Sequence, residues 1–278
     1  MRRVRTTTRS RSRWSMIRRI NSVEALEAAL GGGVLGVAAA FGEERVLYNA
    51  EMLFPTASSI KIAIVEEVFG QGLDLAQPIT VTEADFVGGS GVLSTLMPGT
   101  TLTLGDLATL TITVSDNTAS NLCLRAVGGP EAVNAKLVEW GCQDTKIHRP
   151  IKFKLEESDP PHTATSTPHD FLRMLGHLGP ETRARMAKVS DTAMLPRLLS
   201  VNPYADDLGA MRPPFRVAHK PGAVTGVRND VGFIECEGKT LTVVILTKGC
   251  PDPRWTVENA GCLVVARAAQ ALAERFWG

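Results

Sequence analysis

Phe54-Pro55-Thr56-Ala57-Ser58-Ser59-Ile60-Lys61 is the stretch on which both fold and chemistry turn. Ser58 and Lys61 stand three residues apart at a helix start, so their side chains fall on one helix face. A serine hydroxyl is a weak nucleophile until a neighbouring base takes its proton. A lysine amine can do so once burial or a nearby cation lowers its pKa. The helix N-terminus adds backbone N–H groups aimed at developing negative charge. Taken alone, this spacing is common, and its ordinary meaning is a helix cap beside a solvated lysine.

Two polar clusters further along bear on it. Ser115-Asp116-Asn117 follows Leu110-Thr111-Ile112-Thr113-Val114. In isolation such a triplet is a polar loop or helix cap. As part of a site it offers a hydroxyl to relay protons and an amide to hold a carbonyl. Lys220-Pro221-Gly222 ends a short strand just after His219. By itself this is a strand-to-turn signal; as part of a site it sets a cation beside a backbone that a substrate can approach.

The chain between these points has a definite plan. Asn21 and Glu24 give a capping-box-like helix start, and Gly31-Gly32-Gly33 ends that helix. Val34 to Phe41 and Arg45 to Tyr48 read as a hairpin turning at Gly42-Glu43-Glu44. From Lys61 to about Leu199 the runs are mostly helical, with Thr167 and Pro168 well suited to cap and first turn of one helix. Arg216 to Lys220, Val231 to Glu235 and Thr240 to Lys248 are strand-like, and a long helix from about Thr256 to Phe276 comes after them. Ala260, Leu263, Val264, Ala268, Ala271 and Leu272 read as its apolar face. The pattern predicts an α/β fold: a five-stranded antiparallel sheet flanked by N- and C-terminal helices, with an inserted all-α subdomain. The corresponding boundaries are a basic disordered tail at 1–20, an α/β part formed by 21–60 and 213–278, and an all-α part at 61–212.

Composition bounds the function. The 278 residues are 44% hydrophobic and 21% charged, with a net charge of +1, an ordinary globular balance. The first nineteen residues hold eight arginines and no acid; the remainder carries 22 basic against 29 acidic residues, about −7. The basic character therefore belongs to a tail and not to a nucleic-acid-binding face, so no nucleic-acid partner is expected. Asn21, Ser22, Glu24 and Glu27 interrupt the stretch after the tail, so no secretory signal is legible. No segment is long and apolar enough to span a membrane. Cys123, Cys142, Cys236, Cys250 and Cys262 show no CxxC spacing and are odd in number, which points to buried thiols. The histidines show no metal-ligand spacing, and neither metal nor cofactor is expected.

In this order, Ser58-x-x-Lys61, Ser115-Asp116-Asn117 and Lys220-Pro221-Gly222 resemble the SxxK, SDN and KTG set of class A β-lactamases and penicillin-binding proteins. Pro98-Gly99-Thr100 and Leu102-Thr103-Leu104 extend the likeness, which covers roughly residues 21 to 278. The resemblance implies a two-part β-lactamase-like fold and a serine hydrolase that forms an acyl-enzyme. It makes Ser58 the nucleophile, Lys61 its base or relay, and Ser115 the hydroxyl that passes a proton to the leaving nitrogen. Lys220 would hold Ser115 and the substrate's anionic end. Asn117 would hold a substrate amide, and the N–H groups of Ser58 and Ala223, beside Gly222, would form the oxyanion hole. Arg228 would grip a substrate carboxylate, against the plain alternative of a surface arginine.

Three departures stand out. The family's deacylating glutamate should follow a loop arginine by two residues; if Arg149 is that arginine, Ile151 stands in the glutamate's place. Glu156 or Glu157 could substitute, though loop glutamates are mostly just solvated. Without a placed base, the acyl-enzyme should turn over slowly. Pro221 replaces the family's Thr or Ser and removes a hydroxyl and an N–H, for which Thr225 could compensate. Gly88-Gly89-Ser90-Gly91 stands where many members carry a gatekeeper aromatic, which predicts a wider, more mobile entrance. The expected activity is hydrolysis of the β-lactam amide in a small-molecule substrate by a monomer. A related serine esterase, amidase or peptidase, and a non-catalytic ligand-binding protein on the same fold, remain alternatives. The compartment is cytoplasmic as the sequence is written, or periplasmic or secreted by analogy with the family.

Overall fold

The computed structural model describes residues 22–202 and 214–277. The arginine-rich tail expected at 1–20 lies outside them, as does Asn21.

A five-stranded antiparallel sheet forms the middle layer. Its strands are β1 (Val34–Phe41), β2 (Glu44–Tyr48), β8 (Arg216–Val224), β9 (Val227–Cys236) and β10 (Lys239–Lys248), in the spatial order β2-β1-β10-β9-β8. The two strands expected early and the three expected late therefore come together, with β1 paired to β10 from Val34↔Lys248 to Phe41↔Leu241. That pairing joins the ends of the chain, and β8 is left as an edge strand facing the helical segment.

One face of the sheet is covered by α1 (Val23–Ala28) and α8 (Ala260–Trp277). Leu35, Val37, Ala39, Val243 and Ile245 point into this side with Leu26, Val265 and Leu272. Ser22 caps α1, its hydroxyl accepting from Ala25 N at 3.3 Å. On α8 the expected Val264, Ala268 and Leu272 are buried, Cys262, Val265 and Ala269 join them in a wider stripe, and Ala271 is exposed. Alanines read equally well on any face, so periodicity alone does not fix the edges of the stripe.

The other face carries the helical segment: α2 (Lys61–Gly70), α3 (Leu104–Thr113), α4 (Asn117–Ala126), α5 (Pro130–Glu139), α6 (Pro168–His177) and α7 (Pro180–Met186). Ala38, Val231, Phe233, Val244 and Leu246 of the sheet share one continuous core with Ile62, Leu107, Leu122, Phe171 and Met174. This segment is not purely helical. It contains β4 (Pro78–Thr80) paired with β5 (Thr101–Thr103), and β3 (Phe54–Pro55), β7 (Ala164–Ser166) and β6 (Lys146–Ile147) form a small sheet. Strands of two or three residues are too short to leave an alternating pattern in the sequence. Thr167 caps α6 as expected, accepting from Asp170 N at 3.1 Å, with Pro168 in the first turn.

All five cysteines are buried and unbridged. Among the described residues, no helix is long and apolar enough to cross a membrane, and no cluster of three or more His, Cys, Asp or Glu could hold a metal.

Strands β8 and β9 approach so closely at Gly232 that any Cβ there would collide with the Ala218 carbonyl and the His219 backbone. The obstacle is main chain and cannot rotate away. Gly232→Ala is accordingly expected to cost at least ~2 kcal/mol in a urea melt, with a lowered midpoint and unchanged slope.

Candidate active site

The segment before Ser58 is held from two sides. Asn229, fully buried on β9, donates through Nδ2 to Pro55 O at 2.8 Å and Thr56 O at 3.2 Å, and its Oδ1 accepts from Thr247 N at 2.9 Å. Thr56 N donates to Ala164 O on β7 at 3.1 Å. Between these anchors Ala57 takes a left-handed φ of 47°, a conformation a non-glycine residue holds only when its surroundings over-determine it. The turn Ala57–Ile60 then leads into α2 and leaves Ser58 half-buried at its mouth. Gly222 lies directly against it: a Cβ there would stand 2.9 Å from Ser58 N and 2.8 Å from Ser59 N.

Lys61 is fully buried. Its ammonium donates to Ser115 O at 2.6 Å, Asn117 Oδ1 at 2.7 Å and Ser115 Oγ at 3.2 Å. Lys220, also fully buried, donates to Ser115 Oγ at 3.0 Å and Pro221 O at 2.8 Å. The Ser115 hydroxyl is thus held between two amines. Ser115 itself has φ 55°, and it turns both its carbonyl and its hydroxyl toward Lys61. Asp116 pins that turn: its carboxylate accepts from Val92 N at 2.6 Å, Leu93 N at 2.8 Å and Ala119 N at 2.9 Å.

The electrostatics favour proton transfer. Burial, reinforced by the nearby Lys220 cation, drives the Lys61 pKa well below that of an ordinary lysine, against the pull of Asp116. Burial also lowers Lys220, to about 8, with Asp230 and then Asp191 opposing the shift. Two ammonium groups sharing one hydroxyl in a dry site repel one another, and loss of the Lys61 proton relieves it. The three donors of a charged Lys61 are all spent, and the Ser58 hydroxyl is not among their acceptors. The direct Ser58–Lys61 exchange expected from the spacing therefore requires the neutral amine, whose lone pair can face Ser58.

The other expected residues divide. Pro221 sits in the edge strand β8, where a missing N–H is tolerated. Its carbonyl points to Lys220 Nζ, and it pairs with Asp230 while Ala223 pairs with Arg228. Arg228 N bonds Thr247 Oγ1 on the far side, so alternation sends the Ala223 N–H off the same free edge as the Pro221 carbonyl. Asn117 is nearly buried, with Oδ1 on Lys61 and Nδ2 on Gly88 O at 2.8 Å, leaving one amide proton for a ligand.

Arg228 departs from expectation. It is only 4% exposed, and its guanidinium donates to Val224 O, Val227 O and Arg254 O at 2.7–2.9 Å beneath the Trp255 ring. Three of its five N–H donors are spent on main-chain carbonyls, two of them at the β8–β9 turn, which it braces. Thr225 lies exposed at the tip of that turn with no hydrogen bond to Lys220 or Ser115, and does not make good the hydroxyl missing at Pro221. Glu156 is exposed in a turn where its N–H donates to Asp159 Oδ2 at 2.7 Å and Lys152 pairs with Asp159 at 2.6 Å. It faces solvent, as does Glu157, the ordinary lot of a loop glutamate. Ile151 is fixed through its backbone, its N–H and carbonyl both bonded to the Asn121 side chain on α4 at 2.9 and 2.8 Å.

Asn229, Asp230 and Asn121 were not picked out from sequence. Asp230, fully buried, faces His219 Nδ1 at 2.9 Å and accepts from Leu195 N at 3.0 Å. For Asn229 and Asp230 the available signal was the polar run Arg228-Asn229-Asp230 at the start of a strand that continues Val231-Gly232-Phe233-Ile234.

Comparison with known proteins places this geometry. Residues 17–276 match the Beta-lactamase enzyme family. A β-lactamase of Streptomyces fradiae is 31% identical over 243 residues, covering 82% of this chain and 76% of that protein. The crystal structure of a β-lactamase from Sphaerobacter thermophilus aligns with TM-score 0.79 at 30% identity over 91% of this chain and 96% of the other. A mutant of PBP-A in acyl-enzyme complex with penicillin-G shares the fold, with TM-score 0.72 at 23% identity, covering 91% and 95% of the two chains. The fold and site are those of an active-site-serine hydrolase scaffold. The chain belongs to the β-lactamase enzyme family.

Since Lys220 holds the Ser115 hydroxyl as a cation, acylation should be fast below and slow above a pH near 8, where that amine loses its proton. Asp230 opposes the loss, so Asp230→Asn should move the alkaline limb to lower pH. Acylation rate against pH, in both proteins, measures this.

Proposed function

We propose that the protein hydrolyses β-lactam amides through an acyl-enzyme on Ser58, with fast acylation and slow deacylation. The observation that carries this is the Ser115 hydroxyl bridged by the Lys61 and Lys220 amines beside the start of the Ser58 helix. In the first step the Ser58 Oγ attacks the lactam carbonyl carbon and its proton passes to the neutral Lys61 amine. The Ser58 and Ala223 N–H groups receive the developing oxyanion, donors each worth ~3–4 kcal/mol of barrier in comparable sites. As the C–N bond breaks, the Ser115 hydroxyl gives its proton to the ring nitrogen and takes the one held by Lys61. Lys220 anchors Ser115 and attracts the substrate carboxylate.

The second step needs a water and a base. Ile151 offers an aliphatic side chain at the position from which the family resemblance draws its glutamate, so the ester waits for an unassisted water. The residues named above all come from one chain, which supports a monomer.

An intact-mass time course with benzylpenicillin tests this directly. The wild type should gain one penicillin mass per chain and lose it slowly, and Ser58→Ala should gain none. Ile151→Glu should shorten the adduct's lifetime by ~100-fold or more, the range of a positioned general base. A persistent adduct in Ser58→Ala would overturn the assignment of the nucleophile.

A further inference from the structure

The run Gly88-Gly89-Ser90-Gly91 predicts an open entrance, yet an aromatic ring stands there. It comes from the opposite wall. Phe153, in the loop that carries Ile151, lays its ring against Gly89: a Cβ on Gly89 would stand 2.9 Å from Phe153 Cζ, 3.1 Å from Phe153 Cε2 and 3.1 Å from Asn117 Nδ2. The ring edge and the Asn117 amide therefore face one another across a bare Cα. Gly89 also has φ 84°, so both its backbone and its surroundings exclude a side chain, and the ring occupies that space.

Phe153 is nevertheless 64% exposed. The segment around it is braced. Asn121 holds Ile151 through two hydrogen bonds. Arg149 donates to Pro150 O, Lys152 O and Pro160 O at 2.9–3.3 Å, and Lys152 pairs with Asp159. A large apolar ring held in place, left mostly in solvent and set at the edge of a polar site is poised to cover a ligand.

We infer that Phe153 is the specificity-determining wall of the site, receiving the acyl side chain of the substrate and favouring β-lactams whose side chain is aromatic. This deepens, and rests on, the reading of the site as a β-lactam acylation centre. The geometry links the two: on that reading Asn117 holds the substrate's side-chain amide through its remaining amide proton, and the ring edge lies beside Asn117 at Gly89, where the substituent beyond that amide must pass. An aryl group there meets Phe153 edge-to-face or offset, and a substrate without a side chain leaves the ring unused.

The test compares acylation of the full-length protein by benzylpenicillin and by 6-aminopenicillanic acid, which has the same ring system and no acyl side chain. Second-order acylation rate constants are read by intact mass for the wild type, Phe153→Ala and Phe153→Tyr. The wild type should prefer benzylpenicillin. In Phe153→Ala the preference should fall about tenfold, and Phe153→Tyr should retain it. An unchanged ratio in a folded Phe153→Ala, with adducts formed by both compounds, overturns the role of Phe153 alone. No adduct on the wild type with either compound overturns the acylation reading and this inference with it.

Discussion

One hydroxyl held between two buried amines sets the terms for the rest of the molecule. Burying a lysine ammonium is costly unless its donors are met, and here two of them converge on Ser115 Oγ. The solution has two parts. Carbonyl and amide oxygens are brought to the amines, from Ser115 and Asn117 to Lys61 and from Pro221 to Lys220. The remaining strain is relieved by proton loss, which burial and mutual repulsion drive at Lys61. The feature that makes the site expensive to build is the one that makes it a base.

Holding that arrangement explains several otherwise costly local choices. Ala57 and Ser115 both adopt left-handed backbone without being glycine, one directly before Ser58 and one at the hydroxyl shared by the two amines. Each is fixed by a buried polar side chain: Asn229 ties down Pro55 and Thr56, and Asp116 ties the loop at Val92 and Leu93 to the start of α4. Such residues do no chemistry, but removing either would leave buried N–H or carbonyl groups unpaired and the strained turns unsupported.

Much of this was legible in the sequence because its signals are local. Strand periodicity gave the five-stranded sheet nearly strand for strand, and Ser58, Lys61, Ser115 and Lys220 fell in recognisable patterns at a helix start, a loop and a strand. The misses were contacts between distant segments. No local rule distinguishes an arginine on a surface from one such as Arg228, buried with three of its N–H donors on the carbonyls of Val224, Val227 and Arg254. Asn121 looked like any helix residue until the backbone of Ile151 came to rest on it. The short strands β3 to β7 escaped because pairing, and not periodicity, defines them.

The entrance shows the same limit most sharply. From sequence, a glycine-rich run in place of an aromatic reads as a loss. In three dimensions it is an exchange, since the room left at Gly89 is filled by Phe153 from the facing loop. The same loop carries Ile151, so the element that lays Phe153 against Gly89 also presents an aliphatic side chain two residues earlier. Residues 149–160 thus place Ile151 and Phe153 on one segment, anchored through its backbone carbonyls by the side chains of Asn121 and Arg149.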